Sequence, residues 1–454
     1  MKLLESKILD FVNSGLDYVQ EKTHPFVKGS FLLQYIDLFI VFAIALTLII
    51  SAFAPSDIIG FISVLVPLLV VLKVLITKGE KIEFEQCNFF LLIYLLICLL
   101  SNFTSSMLPQ SLYGFMKTLI YFGFYFALCQ FLKNNQNYIK YLLFIVAALI
   151  EFEGITGIIQ NSLGLENIST WQDTSYVNPE DVLSRVYGTL NPYNPNLLAG
   201  YLIAGISSLC GLSVLYFNDK KKIYGAASIL LFAISVFTLF LTGCRGAYLA
   251  LIVMILCGIY VSYNIIFRTS NNDKYKKIWK NSVFAGFILS IIFMLVNHGI
   301  WQRLMSVFVL RADSSTSFRM NVYNSAIQMF QDNFLFGIGV GNKVFREIYG
   351  LYMLSGFDAL SCYCVLLEMA VESGIFAAIF FILFLIALLY CSFKMFIKSN
   401  DINQKILIAV AAVSIIGVMI HGIFDTIFFR PQVQFIFWTM AAILVSVVRK
   451  DNIE

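Results

Sequence analysis

Charge is scarce in this sequence. Asp, Glu, Lys and Arg make up 13% of its 454 residues, about half the share that a water-soluble chain carries. With 59% hydrophobic residues and a mean hydropathy of +0.82, the chain has too little polar surface to cover itself in water, so lipid must be its solvent. Histidine is rarer still. His24, His298 and His421 stand far apart with no ligand spacing, and the nine cysteines fall mostly inside apolar runs without a CxxC pair. A metal site is therefore not expected, no cofactor signature is present, and the thiols should be reduced and buried. A net charge of only +4 argues against a nucleic-acid partner and leaves the basic residues to mark membrane topology. Residues 1–30 are too polar for a signal peptide. Gly337, Gly339 and Gly341 resemble a phosphate loop only superficially, since no strand precedes them and no Lys-Ser/Thr follows. A tight loop packed on helices suits them better.

Apolar runs are what the chain has in abundance. Those long enough to cross a bilayer, roughly 17–25 residues, lie near 31–53, 58–77, 87–105, 111–132, 141–161, 197–217, 224–242, 247–267, 282–297, 375–393, 407–424 and 433–448. The expected fold is all-α and polytopic, with about twelve spans forming a single transmembrane domain over 31–454. Residues 1–30 form a polar segment ahead of it. In that segment Leu4, Ile8, Phe11, Val12 and Val19 make one apolar helical face, as in a helix lying in the cytoplasmic interface. Two loops are long, 162–196 and 298–360. In the second, Phe318, Val322, Ala326 and Met329 recur at helical spacing, which predicts an ordered amphipathic helix beginning at Phe318.

Charge tests this frame independently. With both termini placed inside, 22 basic residues fall on the cytoplasmic side, eight in external loops and Lys117 within a span, which accounts for all 31. That asymmetry follows the positive-inside rule. The cytoplasmic set is nearly all lysine. The external set is Arg185, Arg245, Arg303, Arg311, Arg319, Lys343, Arg346 and Arg430. Arginine's planar fork holds phosphate or carboxylate through two parallel bonds, whereas lysine is a point charge. External arginines thus point to an anionic ligand on the external face, and the alternative is ion pairing within the loops. Arg245, between two apolar helices, has either such a ligand or a partner in Glu151 or Glu153.

The chain reads Leu241-Thr242-Gly243-Cys244-Arg245-Gly246-Ala247-Tyr248-Leu249 between spans seven and eight. Further on come Ser317-Phe318-Arg319-Met320-Asn321-Val322-Tyr323, Gly337-Ile338-Gly339-Val340-Gly341-Asn342 and Glu372-Ser373-Gly374. These strings resemble the O-antigen ligase and polymerase superfamily over about 170–390. One branch resembles the chain more closely. The strings Arg185-Val186-Tyr187-Gly188-Thr189-Leu190, Asn194-Pro195-Asn196-Leu197-Leu198-Ala199-Gly200, Arg311-Ala312-Asp313-Ser314-Ser315 and Ala359-Leu360-Ser361-Cys362-Tyr363 are similar to the inorganic-carbon transporter B family, putative bicarbonate transporters.

The superfamily resemblance implies a GT-C-like membrane glycosyltransferase in the bacterial inner membrane. Such an enzyme takes a glycan from a polyprenyl-diphosphate carrier at the external face. Carried over residue by residue, it makes Arg245 and Arg319, with Arg185, the residues that hold the diphosphate. It also places Tyr363 at the catalytic position, eleven residues before Gly374, where the superfamily pattern has a histidine. Tyrosine, with an ordinary pKa near 10, is a hydrogen-bond donor at neutral pH and a poor base. Bicarbonate transport, transport accessory and a non-catalytic member of the fold stand as the other readings.

Overall fold

The computed structural model describes residues 2–27, 30–165, 185–269, 273–296, 314–353 and 358–449. Trp171, His298, Arg303, Arg311 and Asp313 lie outside them, as does most of the 162–196 loop.

All regular structure among the described residues is helical. The chain is an all-α, multi-pass membrane protein in which eleven described helices are long and apolar enough to cross a bilayer. A polar helix α1 (Lys2–Val27) comes first. The spans that follow are α2 (Ile36–Phe53), α3 (Ile58–Ile76), α4 (Gln86–Thr104), α5 (Leu108–Asn134), α6 (Ile139–Ser162), α7 (Pro195–Asn218), α8 (Lys222–Leu241) and α9 (Arg245–Asn264). After α10 (Asp273–Val296), α11 (Ser314–Asp332) and α12 (Asn342–Tyr349) come the last three spans. These are α13 (Val365–Lys398), α14 (Ile402–His421) and α15 (Pro431–Arg449). The twelfth expected span, 282–297, falls on α10. That helix docks beside the end of α9 through Trp279 Nε1 donating to Ser262 Oγ at 2.9 Å, and it leaves Phe284, Phe287, Leu289, Leu295 and Val296 exposed.

Spans differ in how far they are enclosed. α7 and α15 are each 89% buried and α9 only 22%. An aromatic core joins α4, α5, α13 and α15, with Phe122 and Trp438 rings 4.8 Å apart and Tyr125 5.0 Å from the same indole. In α1 the apolar positions Phe11, Val12 and Val19 stay exposed, while Gln20 donates to Val74 O and Glu80 O at 2.8 Å each. The helix is therefore fastened by Gln20 to the 74–82 turn and by Leu16 to the core, with Phe11, Val12 and Val19 left open.

The described part of the 298–360 loop is mostly helical. α11 begins at Ser314, one turn before Phe318, and Phe318, Val322, Ala326 and Met329 are all buried. They form a second small core with Ile338, Val344, Phe345 and Tyr349.

The tenth span also begins earlier than its apolar run, at Val365 rather than 375. Its first turns are held by tertiary bonds that hydropathy cannot see: Val365 N donates to Gly422 O at 2.8 Å and Cys362 N to the Glu368 carboxylate at 3.1 Å. The helix breaks at Gly374, where φ is 82° and ψ 174°, a conformation open to glycine at little cost. A strap, residues 337–341, threads the break. Ile338 N donates to Val371 O and Gly339 N to Glu372 O, both at 2.9 Å, and Ser101 Oγ also reaches Glu372 O at 2.7 Å. On its other side the strap lies so close to α5 that a Cβ on Gly114 would stand 2.3 Å from Val340 O.

Candidate functional site

The two ends of the bundle differ. Lysines gather at one end, where Lys133 meets Glu83 and Lys140 meets Asp219. Arg185, Arg245, Arg319, Arg346 and Arg430, with the α11–α13 layer, occupy the other. There four turns converge: residues 185–194 before α7, Thr242–Cys244 before α9, 358–364 before α13, and 422–430 between α14 and α15.

Local sequence sets each turn. Asn194 caps α7, accepting from Asn196 N at 2.8 Å, and Pro195 takes the first helical position, where its missing N–H costs nothing. That fixes Asn196, whose amide donates to Asp425 Oδ2 at 2.9 Å. Arg185 donates through Nε to Thr242 O at 2.7 Å and through Nη2 to Asn196 Oδ1 at 2.6 Å. Its charge thus sits on the C-terminal carbonyls of α8, the favourable end of that helix's dipole.

Arg319 projects from α11 with its Nη2 3.5 Å from Asp425 Oδ2 and its guanidinium 5.4 Å from the centre of the Tyr363 ring. Cation–π contact of this kind holds the ring and the charge together. Phe318 meets the same ring edge-on at 5.9 Å, and Tyr323 OH donates to Tyr363 O at 3.2 Å. Tyr363 takes a φ of 54°, rare for a bulky residue and costing on the order of 1–3 kcal/mol. Its surroundings over-determine that conformation. Burial, with a smaller contribution from the Asp425 charge, pushes the Tyr363 phenol up to about 12 despite the opposing Arg319. At neutral pH it is a proton donor in hydrogen bonds, not a base.

Beside these groups is a cleft of about 210 Å³ lined by Tyr363, Ser361, Asp425, Asn196, Lys117 and Arg430, among others. Of the residues singled out in the sequence for the site, Tyr363 lines the cleft directly. Arg319 and Arg185 do not; they connect to it through Asp425, the first directly and the second by way of Asn196. Arg245 is half-buried at the first position of α9. Its neighbours on both sides touch His421: Cys244 Sγ is 3.3 Å from His421 Nε2, and Gly246 packs against His421 and Phe424. Burial alone would raise the Cys244 thiol, but the His421 imidazole and the Arg185 charge outweigh it and hold the thiol below its ordinary value.

Glu151 and Glu153, weighed above as partners of Arg245, bond elsewhere. Glu151 accepts from Ser235 Oγ at 3.0 Å and Glu153 from Thr189 N at 2.8 Å. Arg346 has the simple loop pairing, with Asp358. Asp425 is the residue that sequence reasoning passed over. A signal was there in His421-Gly422-Ile423-Phe424-Asp425-Thr426, where polar groups crowd the junction of two apolar helices.

Fold and site together define a multi-pass membrane protein with an arginine- and tyrosine-bearing cleft at one end of the bundle. Residues 230–382 match the family model for O-antigen ligase, so the chain contains an O-antigen ligase-like region. The match takes in Arg245, Arg319, Tyr363, the strap and the break at Gly374, and leaves out Arg185, Asn196 and Asp425. No curated protein matches the chain.

Proposed function

We propose that this protein transfers a glycan from a polyprenyl-diphosphate carrier to an acceptor at the external face of a bacterial inner membrane, with both its termini in the cytoplasm. The observation that carries this reading is the Arg319–Asp425–Asn196–Arg185 linkage beside Tyr363 and its cleft. Two guanidiniums held by one carboxylate, directly and through an amide, form a preorganised cationic site of the type that stabilises a leaving diphosphate. Arg245, on the same end, adds a third positive charge. An acceptor hydroxyl attacks the anomeric carbon, a C–O bond forms, and the anomeric C–O bond to the diphosphate breaks. The diphosphate leaves on the arginines, and the hydroxyl proton passes to Asp425, the carboxylate that lines the cleft at Tyr363. Tyr363, which stays protonated, donates a hydrogen bond rather than taking the proton.

The bicarbonate-transport reading draws less support. Transporters use broken helices to offer bare carbonyls to an ion or substrate, but the α13 break already spends its Val371 and Glu372 carbonyls on Ile338 N, Gly339 N and Ser101 Oγ.

Binding tests the ligand class. Undecaprenyl diphosphate should raise the thermal stability of the purified protein, by about 2.7 kcal/mol at a hundred times Kd, and Arg319→Lys should weaken the effect. Stabilisation by bicarbonate that depends on Arg319, with none from the diphosphate, contradicts the reading. Reporter fusions test the orientation: one at 221 or 276 should read cytoplasmic and one within 330–345 external, and the reverse at either place overturns it.

A further inference from the structure

The cleft at Tyr363 adjoins another. Lys117, Tyr121, Asn342 and Phe429 line both it and a second recess of about 120 Å³ between α5, α12 and α15. The character of the wall changes along the way. Near Tyr363 it is hydroxyl and carboxylate, from Ser361, Thr426 and Asp425. In the second recess Tyr113 and Gln110 stand at the exposed end, and Phe381, Trp438 and Gln434 are buried further in. Flat rings with a negative π face suit the C–H faces of a pyranose, and the Gln110 amide can serve its hydroxyls as donor and acceptor at once, whereas the Gln434 carbonyl already accepts from Trp438 Nε1.

Charge makes the second recess more selective. The Lys117 ammonium is 4.7 Å and the Lys343 ammonium 5.6 Å from the centre of the Tyr113 ring, so two like charges converge on one aromatic. Arg430 adds a cation to the first cleft. Among the described residues neither Lys343 nor Arg430 has a carboxylate within ion-pair distance. Of the two acids in the walls, Asp425 is already occupied by Arg319, Asn196 and Thr426 N, and Glu372 shares the second recess with Lys117 and Lys343. A cleft that gathers cations on an aromatic platform favours a ligand that brings its own negative charge.

We propose that this two-part cleft is the acceptor site and that the acceptor is an acidic saccharide. Its carboxylate or phosphate rests between Lys117 and Lys343, and its sugar ring lies along Tyr113 and Phe429. The word acceptor rests on the transferase reading above; the recognition of an acidic sugar does not.

The test is calorimetric titration of the purified full-length protein, without donor, against trigalacturonic acid, neutral galactotriose and inorganic phosphate. Trigalacturonic acid should bind at least about ten-fold more tightly than galactotriose, the discrimination expected of one charge-assisted contact. Lys343→Gln, at an exposed position that the fold tolerates, should lose that preference, and Arg319→Lys should keep it. Melting temperatures of both variants check that they remain folded. Equal binding of acidic and neutral sugar overturns the proposal, as does a Lys343→Gln variant with the preference intact. Phosphate binding as tightly as the trisaccharide also overturns it, since the site would then recognise an anion and no sugar. If the acidic preference holds while no polyprenyl-diphosphate glycan is ever transferred, the functional reading fails and the saccharide site stands. Transfer without the preference has the opposite meaning.

Discussion

At the lysine end, Lys140 lies 2.8 Å from Asp219 with both side chains substantially exposed, and Lys276 pairs with Asp273 within one helix. At the arginine end, Arg185 bonds a helix-terminal carbonyl and an amide, while Arg319 stacks on an aromatic and touches a nearly buried carboxylate. The first set consists of separate two-body contacts in water, each contributing little. The second is a connected network that spans four turns and positions guanidiniums beside a cleft. Cations spaced for topology tolerate loss one at a time, whereas cations wired into a site do not.

Four substitutions test the difference between the two ends. The largest effect is expected at the α13 break, which anchors the strap beneath the arginine end. A Cβ on Gly374 would fall 2.1 Å from Leu335 O at a φ of 82°. Gly374→Ala should therefore cost on the order of 3 kcal/mol or more and abolish activity, read as a lost or lowered melting transition in detergent. A wild-type melting curve would show that the strap is not held as described. Next comes Arg319→Lys, which keeps the charge and loses the fork. Turnover should fall by roughly 10²–10³-fold with insertion unchanged.

The third effect appears only at high pH. Tyr363 stays neutral in the folded protein until about 12, whereas in the unfolded chain it ionises near 10. The unfolded state thus sheds a proton first as pH rises through this window, so the tyrosine's contribution is intact below about pH 10 and drains away towards pH 12, by at most roughly 2–3 kcal/mol. Tyr363→Phe should flatten that part of the stability curve and leave the shape of the activity profile between about pH 6 and 9 as it was. A new inflection near neutrality in the variant would show that the tyrosine titrates there. Smallest of all is Lys140→Ala at the opposite end. It should cost less than about 1 kcal/mol with no change in rate, and a rate loss there would erase the distinction between the two ends.

Much of the fold was legible because a lipid-facing helix announces itself by length and apolarity, and α11 by the spacing of Phe318, Val322, Ala326 and Met329. The start of α13 was not, since its first ten residues depend on Gly422 O and on the Glu368 side chain rather than on local hydropathy. The same divide runs through the candidate site. Arg185, Arg319 and Tyr363 stood out as charged or aromatic residues in recognisable strings. Asp425 did not, because its partners Asn196 and Arg319 are brought to it only by the packing of α7 and α11 on the α14–α15 turn. Glu151 and Glu153 looked like ion-pair partners, yet Glu151 accepts from the Ser235 hydroxyl and Glu153 from the Thr189 hydroxyl and N–H, and sequence carries no sign of that choice.

Glycan transfer at the proposed site is read out by incubating purified wild-type protein and its Arg319→Lys and Asp425→Asn variants with a polyprenyl-diphosphate-linked glycan and an acidic saccharide acceptor, and by following the joined product and the released polyprenyl diphosphate together. Both products should form in equal amounts with the wild type and fall by at least about a hundred-fold in each variant, while all three proteins remain folded. Transfer that persists in both folded variants would contradict that function for the site. So would a wild type that releases nothing from any polyprenyl-diphosphate donor yet shows saturable, Arg319-dependent bicarbonate uptake in proteoliposomes.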